Sequence, residues 1–186
     1  PTPANWHVVD TGVDTYIYQW FPNFNFRSEP ALLLRTPNLA FGLLKFDLSA
    51  LPAAALVQNA QLRVYVLDDM FPAGVRLEAY LLQRDWDVSV ANWNKAGDGQ
   101  PWSVPGALGP EDRSDAPIAI SLDVQPAGFV TLDLTGIVQQ WLDDPLSNHG
   151  ILLAFTSTAD TDLQVASFEN PVQNWRPRLE ILLAGG

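Results

Sequence analysis

The chain contains no cysteine, so neither a disulfide frame nor a thiolate metal site can be built from it. Histidine is nearly absent too: His7 and His149 stand alone, without a second ligand at metal spacing. Ser-His-Asp chemistry would need one of them, and no Gly-x-Ser-x-Gly elbow accompanies either. Charged residues make up 17% of the chain, against about a quarter in typical soluble domains. The ten lysines and arginines are scattered, and the net charge is −11. That balance argues against a nucleic-acid partner and against adhesion to anionic membranes. No apolar run approaches the roughly eighteen residues needed to cross a bilayer, so membrane insertion is not expected.

What remains is a chain of 186 residues, 47% hydrophobic, with seven tryptophans. That length suits one domain spanning 1–186. Runs with strand character recur between turn signals: Trp6–Thr11, Thr15–Trp20, Ala31–Thr36, Ala40–Leu48, Ala60–Leu67, Val75–Arg84, Pro117–Leu122, Gly128–Leu134, Gly150–Thr156, Leu163–Phe168 and Arg178–Leu183. Leu62, Val64 and Val66 share one face of such a strand, and Arg63, Tyr65 and Leu67 the other. Pro22, Pro52, Pro72, Pro126 and Pro145 punctuate the pattern. One segment differs. Ile137, Val138, Trp141 and Leu142 fall on a single helical face, so a short helix is expected at about 135–143, capped by Thr135 and closing one end of the fold. The fold class is all-β, an antiparallel β-sandwich of jelly-roll type with one short helix.

The segment from Trp86 to Asp115 has no hydrophobic period, yet it holds three tryptophans and four glycines in thirty residues. Long ordered loops of this kind are usually functional. Trp86, Trp93, Asn94, Lys95, Trp102 and Trp175 are candidate carbohydrate-binding residues, because flat rings beside amides and charges suit a sugar's apolar face and its hydroxyls. The same mixture also makes the centre of protein interfaces, or a plug for the sandwich. Trp6, Trp20 and Trp141 lie in regular patterns and read as core. The acid pairs Asp85/Asp87, Asp143/Asp144 and Asp160/Asp162 read as solvated turn residues rather than a glycosidase dyad, and no catalysis is expected. No cofactor is required. Calcium is the one candidate ion, on Glu111, Asp112, Asp115, Asp160 and Asp162.

Lys45-Phe46-Asp47-Leu48-Ser49-Ala50-Leu51-Pro52, followed by Asn59-Ala60-Gln61-Leu62-Arg63-Val64-Tyr65, resembles the opening of DNRLRE-type, disaggregatase-related modules. The spacing of Trp86, Trp93-Asn94, Trp102, Gly106-Ala107 and Asp112 is similar to that family's middle, and Ser167-Phe168-Glu169 with Arg176-Pro177-Arg178-Leu179 to its end. One departure is visible: Phe168 stands where the family usually has arginine. The resemblance implies a secreted jelly-roll module of microbial surface proteins, some relatives being carbohydrate-binding modules for polysaccharides such as alginate. The start at PTPAN, without methionine, fits a mature secreted chain or an excised module. With so acidic a chain, an anionic glycan would require Arg27, Arg35, Lys45 or Lys95 to gather locally.

Two functions follow. In the first, the protein is an extracellular structural or adhesive module that binds copies of itself, even as a filament subunit. A terminal strand within 1–13, carrying Trp6 and Val8, would then pair with a neighbour near Leu179 and Ile181. In the second, it binds a polysaccharide through its loop tryptophans.

Overall fold

The computed structural model describes residues 5–184; Pro1–Ala4, part of the expected terminal segment, lie outside them. The strands are β1 (Asn5–Val9), β2 (Gly12–Tyr18), β3 (Ala31–Arg35), β4 (Ala40–Phe46), β5 (Val57–Val66), β6 (Arg76–Leu81), β7 (Lys95–Gly97), β8 (Gln100–Pro101), β9 (Ala119–Ile120), β10 (Gly128–Asp133), β11 (Ile151–Thr156), β12 (Asp162–Ala166) and β13 (Arg178–Leu183). Among the described residues a single α-helix, α1 (Thr135–Asp143), lies between β10 and β11.

Every pairing is antiparallel. One side of the sandwich runs β2-β4-β11-β6-β9. The other runs β1-β13-β5-β10, with β12 touching the end of β5 and continuing to β3. The alternation read in β5 is realised: Leu62, Val64 and Val66 are fully buried while Gln61, Arg63 and Tyr65 face outward. Each such aliphatic contributes about 1.5–3 kcal/mol by burial.

Strands β4 and β11 behave differently. Their sequences, AFGLLKF and ILLAFT, are apolar at nearly every position because both faces are covered. Leu44, Phe46, Ile151 and Leu153 point into the main core. Phe41, Leu43, Leu152 and Ala154 point the other way, into a second apolar layer.

Helix α1 buries Val138 and Trp141, as its periodicity predicts. Thr135 is its first residue rather than its cap. The Thr135 hydroxyl instead accepts the Ala60 N–H at 3.0 Å and donates to Asp133 at 2.6 Å, tying the helix to β5.

Two tryptophans depart from the expected core. Trp20 lies past the end of β2, and Trp6 occupies an outward position on edge strand β1, opposite Leu182; both are exposed. Strand β1 pairs with β13 of its own chain, so Leu179 and Ile181 are buried in the core instead of offering a contact surface. Removing residues 1–9 should therefore lower the melting temperature and promote aggregation through the freed β13 edge. Thermal melts with size-exclusion chromatography test this; a folded monomer with unchanged melting would show β1 to be dispensable.

Candidate functional site

The five-stranded side carries Phe41, Leu43 and Leu152 on its outer face, which water would otherwise reach. The segment between β6 and β9 supplies the cover. Trp93 and Trp102 are buried there with Ala91, Ala96 and Ala107. Trp93 stacks on Phe41 with centroids 6.0 Å apart, and the Trp102 indole donates to the Asn92 carbonyl at 2.9 Å. Gly106 sits at φ +85, where a Cβ would lie 2.5 Å from the Trp93 ring. The expectation that Trp93 and Trp102 form a sugar platform is thus corrected: burying two large rings is what seals the sheet. Asn92 shapes the neighbouring turn by accepting the N–H groups of Asn94 and Lys95.

Asp112 fastens this layer. Its carboxylate is fully buried and accepts N–H groups from Ser103 (2.9 Å), Val104 (3.1 Å) and Gly109 (3.2 Å), and the Ser103 hydroxyl at 2.8 Å. Burial alone would raise its pKa, but these donors outweigh burial and hold it below the ordinary carboxylate range. That occupation removes Asp112 from any calcium set. Asp162 is ion-paired with Arg35 at 2.9 Å, while Glu111, Asp115 and Asp160 are exposed. Among the described residues no group of three or more His, Cys, Asp or Glu is gathered as a metal would require.

The first tryptophan of the segment is placed differently. Trp86 is half-buried, and its indole donates to the His149 carbonyl at 2.9 Å, which fixes the ring. It lines a cleft of about 710 Å³ where the covering segment meets α1 and the β4–β5 connection. Val13, Leu48, Leu51, Val88 and Leu142 give this cleft an apolar lining, and Trp141 adds a buried indole N–H with no partner. Lys45, Asp47, Ser49 and Asp87 add polar groups. Lys45 lies 3.8 Å from Asp85, whose carboxylate also meets His149 Nδ1 at 2.8 Å. The Ser49 hydroxyl and N–H lower the pKa of Asp47, keeping an ionised acceptor at the cleft.

The remaining candidates are dispersed. Asn94 bonds Asn23 at 2.9 Å and Lys95 pairs with Asp98 at 2.7 Å on the covering segment's surface. Trp175 stacks on Tyr65 at 4.7 Å, beside Phe129, on the outer face of the opposite sheet. The four cations considered for an anionic patch each have a separate partner: Arg27 bonds Ser89, Arg35 pairs with Asp162, Lys95 with Asp98, and Lys45 approaches Asp85. Sequence reasoning missed the contributions of Asp47, Ser49, Trp141 and Leu142 to the cleft. Their segments are far apart in the chain, and no spacing signals their meeting.

An antiparallel sandwich with an aromatic-walled, mainly apolar cleft and convergent polar groups has the architecture of a ligand-binding module. The chain belongs to carbohydrate-binding module family 96, which matches residues 6–104, and it is a carbohydrate-binding module. The matched region carries β1 to β8 and with them Lys45, Asp47 and Trp86. No curated protein matches the chain. Among the described residues no helix is long and apolar enough to cross a membrane.

Proposed function

We propose that this module acts outside the cell, without catalysis of its own, and holds a polysaccharide in the Trp86 cleft. The carrying observation is the position of Trp86: of the three tryptophans in the covering segment, it lines the cleft while the other two are sealed away. The indole offers an apolar face to a sugar ring, while Lys45, Asp47, Ser49 and Asp87 offer partners to hydroxyls. The volume falls within the range of about 300–1,000 Å³ typical of small-ligand sites, enough for the end or a short stretch of a glycan.

Trp86→Ala should weaken retention on the recognised soluble polysaccharide at least tenfold, and Trp86→Phe should restore part of it. Affinity electrophoresis across a polysaccharide panel, with melting curves as the folding control, reads this out. Equal retention by wild type and Trp86→Ala would move the site elsewhere. A homopolymer has less support, because the terminal strand it needs is already paired with β13.

A further inference from the structure

The loop joining β2 to β3 holds the densest set of exposed rings. Trp20, Phe21 and Phe24 are 56%, 57% and 57% exposed, within five consecutive residues. Each leans on an inner aromatic. Trp20 and Phe21 rest against Tyr18 with centroids 5.3 and 5.7 Å away. Phe24 rests against Phe26 at 4.7 Å, and Phe26 stacks on Tyr16 at 4.1 Å. The result is a two-tier arrangement, with an outer tier of rings oriented by an inner one.

The loop is also pinned from outside itself. The Asn25 amide donates to the carbonyls of Val88 (3.0 Å) and Ala91 (2.8 Å), and Asn94 donates to Asn23 at 2.9 Å. The rings are therefore pre-organised rather than free to collapse, which reduces the entropy lost on binding. Charge is neutralised at the same place: the Arg35 guanidinium lies 4.5 Å above the Trp20 ring and is paired with Asp162.

We propose that Trp20, Phe21 and Phe24 form a second glycan-contact surface, separate from the Trp86 cleft, that takes neutral polysaccharide chains displayed on an insoluble surface. The inference rests on the chain being a carbohydrate-binding module but not on the cleft. Three rings provide more contact than one sugar can use, so they suit consecutive sugars or adjacent chains. Arg35 is paired internally and the loop's own Arg27 and Glu29 cancel in charge, which leaves little net charge to attract an anionic polymer, and the amides of Asn23 and Asn94 are suited to hydroxyls. The Asp87–Ala91 stretch links the two sites, since Asp87 and Val88 line the cleft while Val88 and Ala91 hold Asn25.

Depletion of the full chain by microcrystalline cellulose, chitin and insoluble mannan tests this. The triple variant Trp20→Ala/Phe21→Ala/Phe24→Ala should lower the partition coefficient for the retained solid at least tenfold. It should keep soluble-glycan binding and a cooperative melting transition, with only the modest loss of Tm that removing packing on Tyr18 and Phe26 entails. Phe21→Tyr/Phe24→Tyr should keep retention, because the rings persist. Trp86→Ala should show the reverse pattern, so loss of the cleft reading alone leaves this proposal standing. Failure of wild type to bind any of the three solids overturns the proposal, as does equal retention by the triple variant. A triple variant that only dissociates an oligomer in sedimentation velocity also overturns it, and makes the rings a contact between copies.

Discussion

Asp112→Ala is expected to lower stability by roughly 3–5 kcal/mol, the range found when one partner of a buried charged network is removed. The substitution strands the N–H groups of Ser103, Val104 and Gly109 and the Ser103 hydroxyl, and leaves Arg84, 3.5 Å away, without its carboxylate. For a chain of this length the fall in Tm should be roughly 6–20 °C. Asp112→Asn should rescue little, because an amide NH₂ would face N–H donors wherever it replaced an oxygen. A functional consequence follows from geometry. The layer that Asp112 fastens begins at Trp86, so glycan retention should fall even where the sandwich stays folded. Calorimetry and affinity electrophoresis on the same variants check both parts; a melting curve unchanged from wild type would remove Asp112 from its fastening role. The sign with pH is fixed by the lowered carboxylate pKa. The contribution is complete above the ordinary range near pH 4 and is lost as pH falls through the still lower folded value.

The sandwich itself was legible because its strands obey a period of two and its helix a period near 3.6. β5 and α1 are the clear cases, while the β4 and β11 runs, apolar at nearly every position, carry no such alternation. The identity of their second cover was not legible. A buried outer sheet face and a solvated one differ only in whether a remote aperiodic segment folds back, and Trp93 looks the same in sequence whether it seals Phe41 or faces a sugar. Trp20 was misplaced for a related reason: the alternation of β2 extends through the turn that ends the strand at Tyr18. Trp86 was legible as a candidate, but its cleft was not, since Val13, Lys45, Leu51 and Trp141 are brought together by sheet order and by docking of the helix, which spacing along the chain does not encode.

Asp14→Asn is expected to flatten the pH dependence of stability. Asp14 lies on β2 with 1% exposure; Oδ2 accepts the Phe168 N–H at 2.9 Å, and Oδ1 is buried without a partner. Burial first, then the charge and side chain of Glu169, push its pKa up to about 8 against the lowering effect of the Phe168 N–H. Among the described residues no cation pairs with it. The Phe168 ring packs edge-on against Phe46 at 5.5 Å. The native state therefore holds a proton that the unfolded chain releases near pH 3.8. Stability falls as pH rises between those values, at about 1.4 kcal/mol per unit, and the loss levels off above the folded pKa. Between pH 5 and 7 the wild type should lose stability by this route, and Asp14→Asn almost none of it. The asparagine oxygen can still accept the Phe168 N–H, while its NH₂ replaces the acid proton toward Glu169. Denaturant unfolding of both proteins across pH 5–8 makes the comparison. Converging profiles at low pH and a more stable variant at high pH are the expected result, whereas parallel profiles would mean that Asp14 is ionised in the fold and that another group answers its charge.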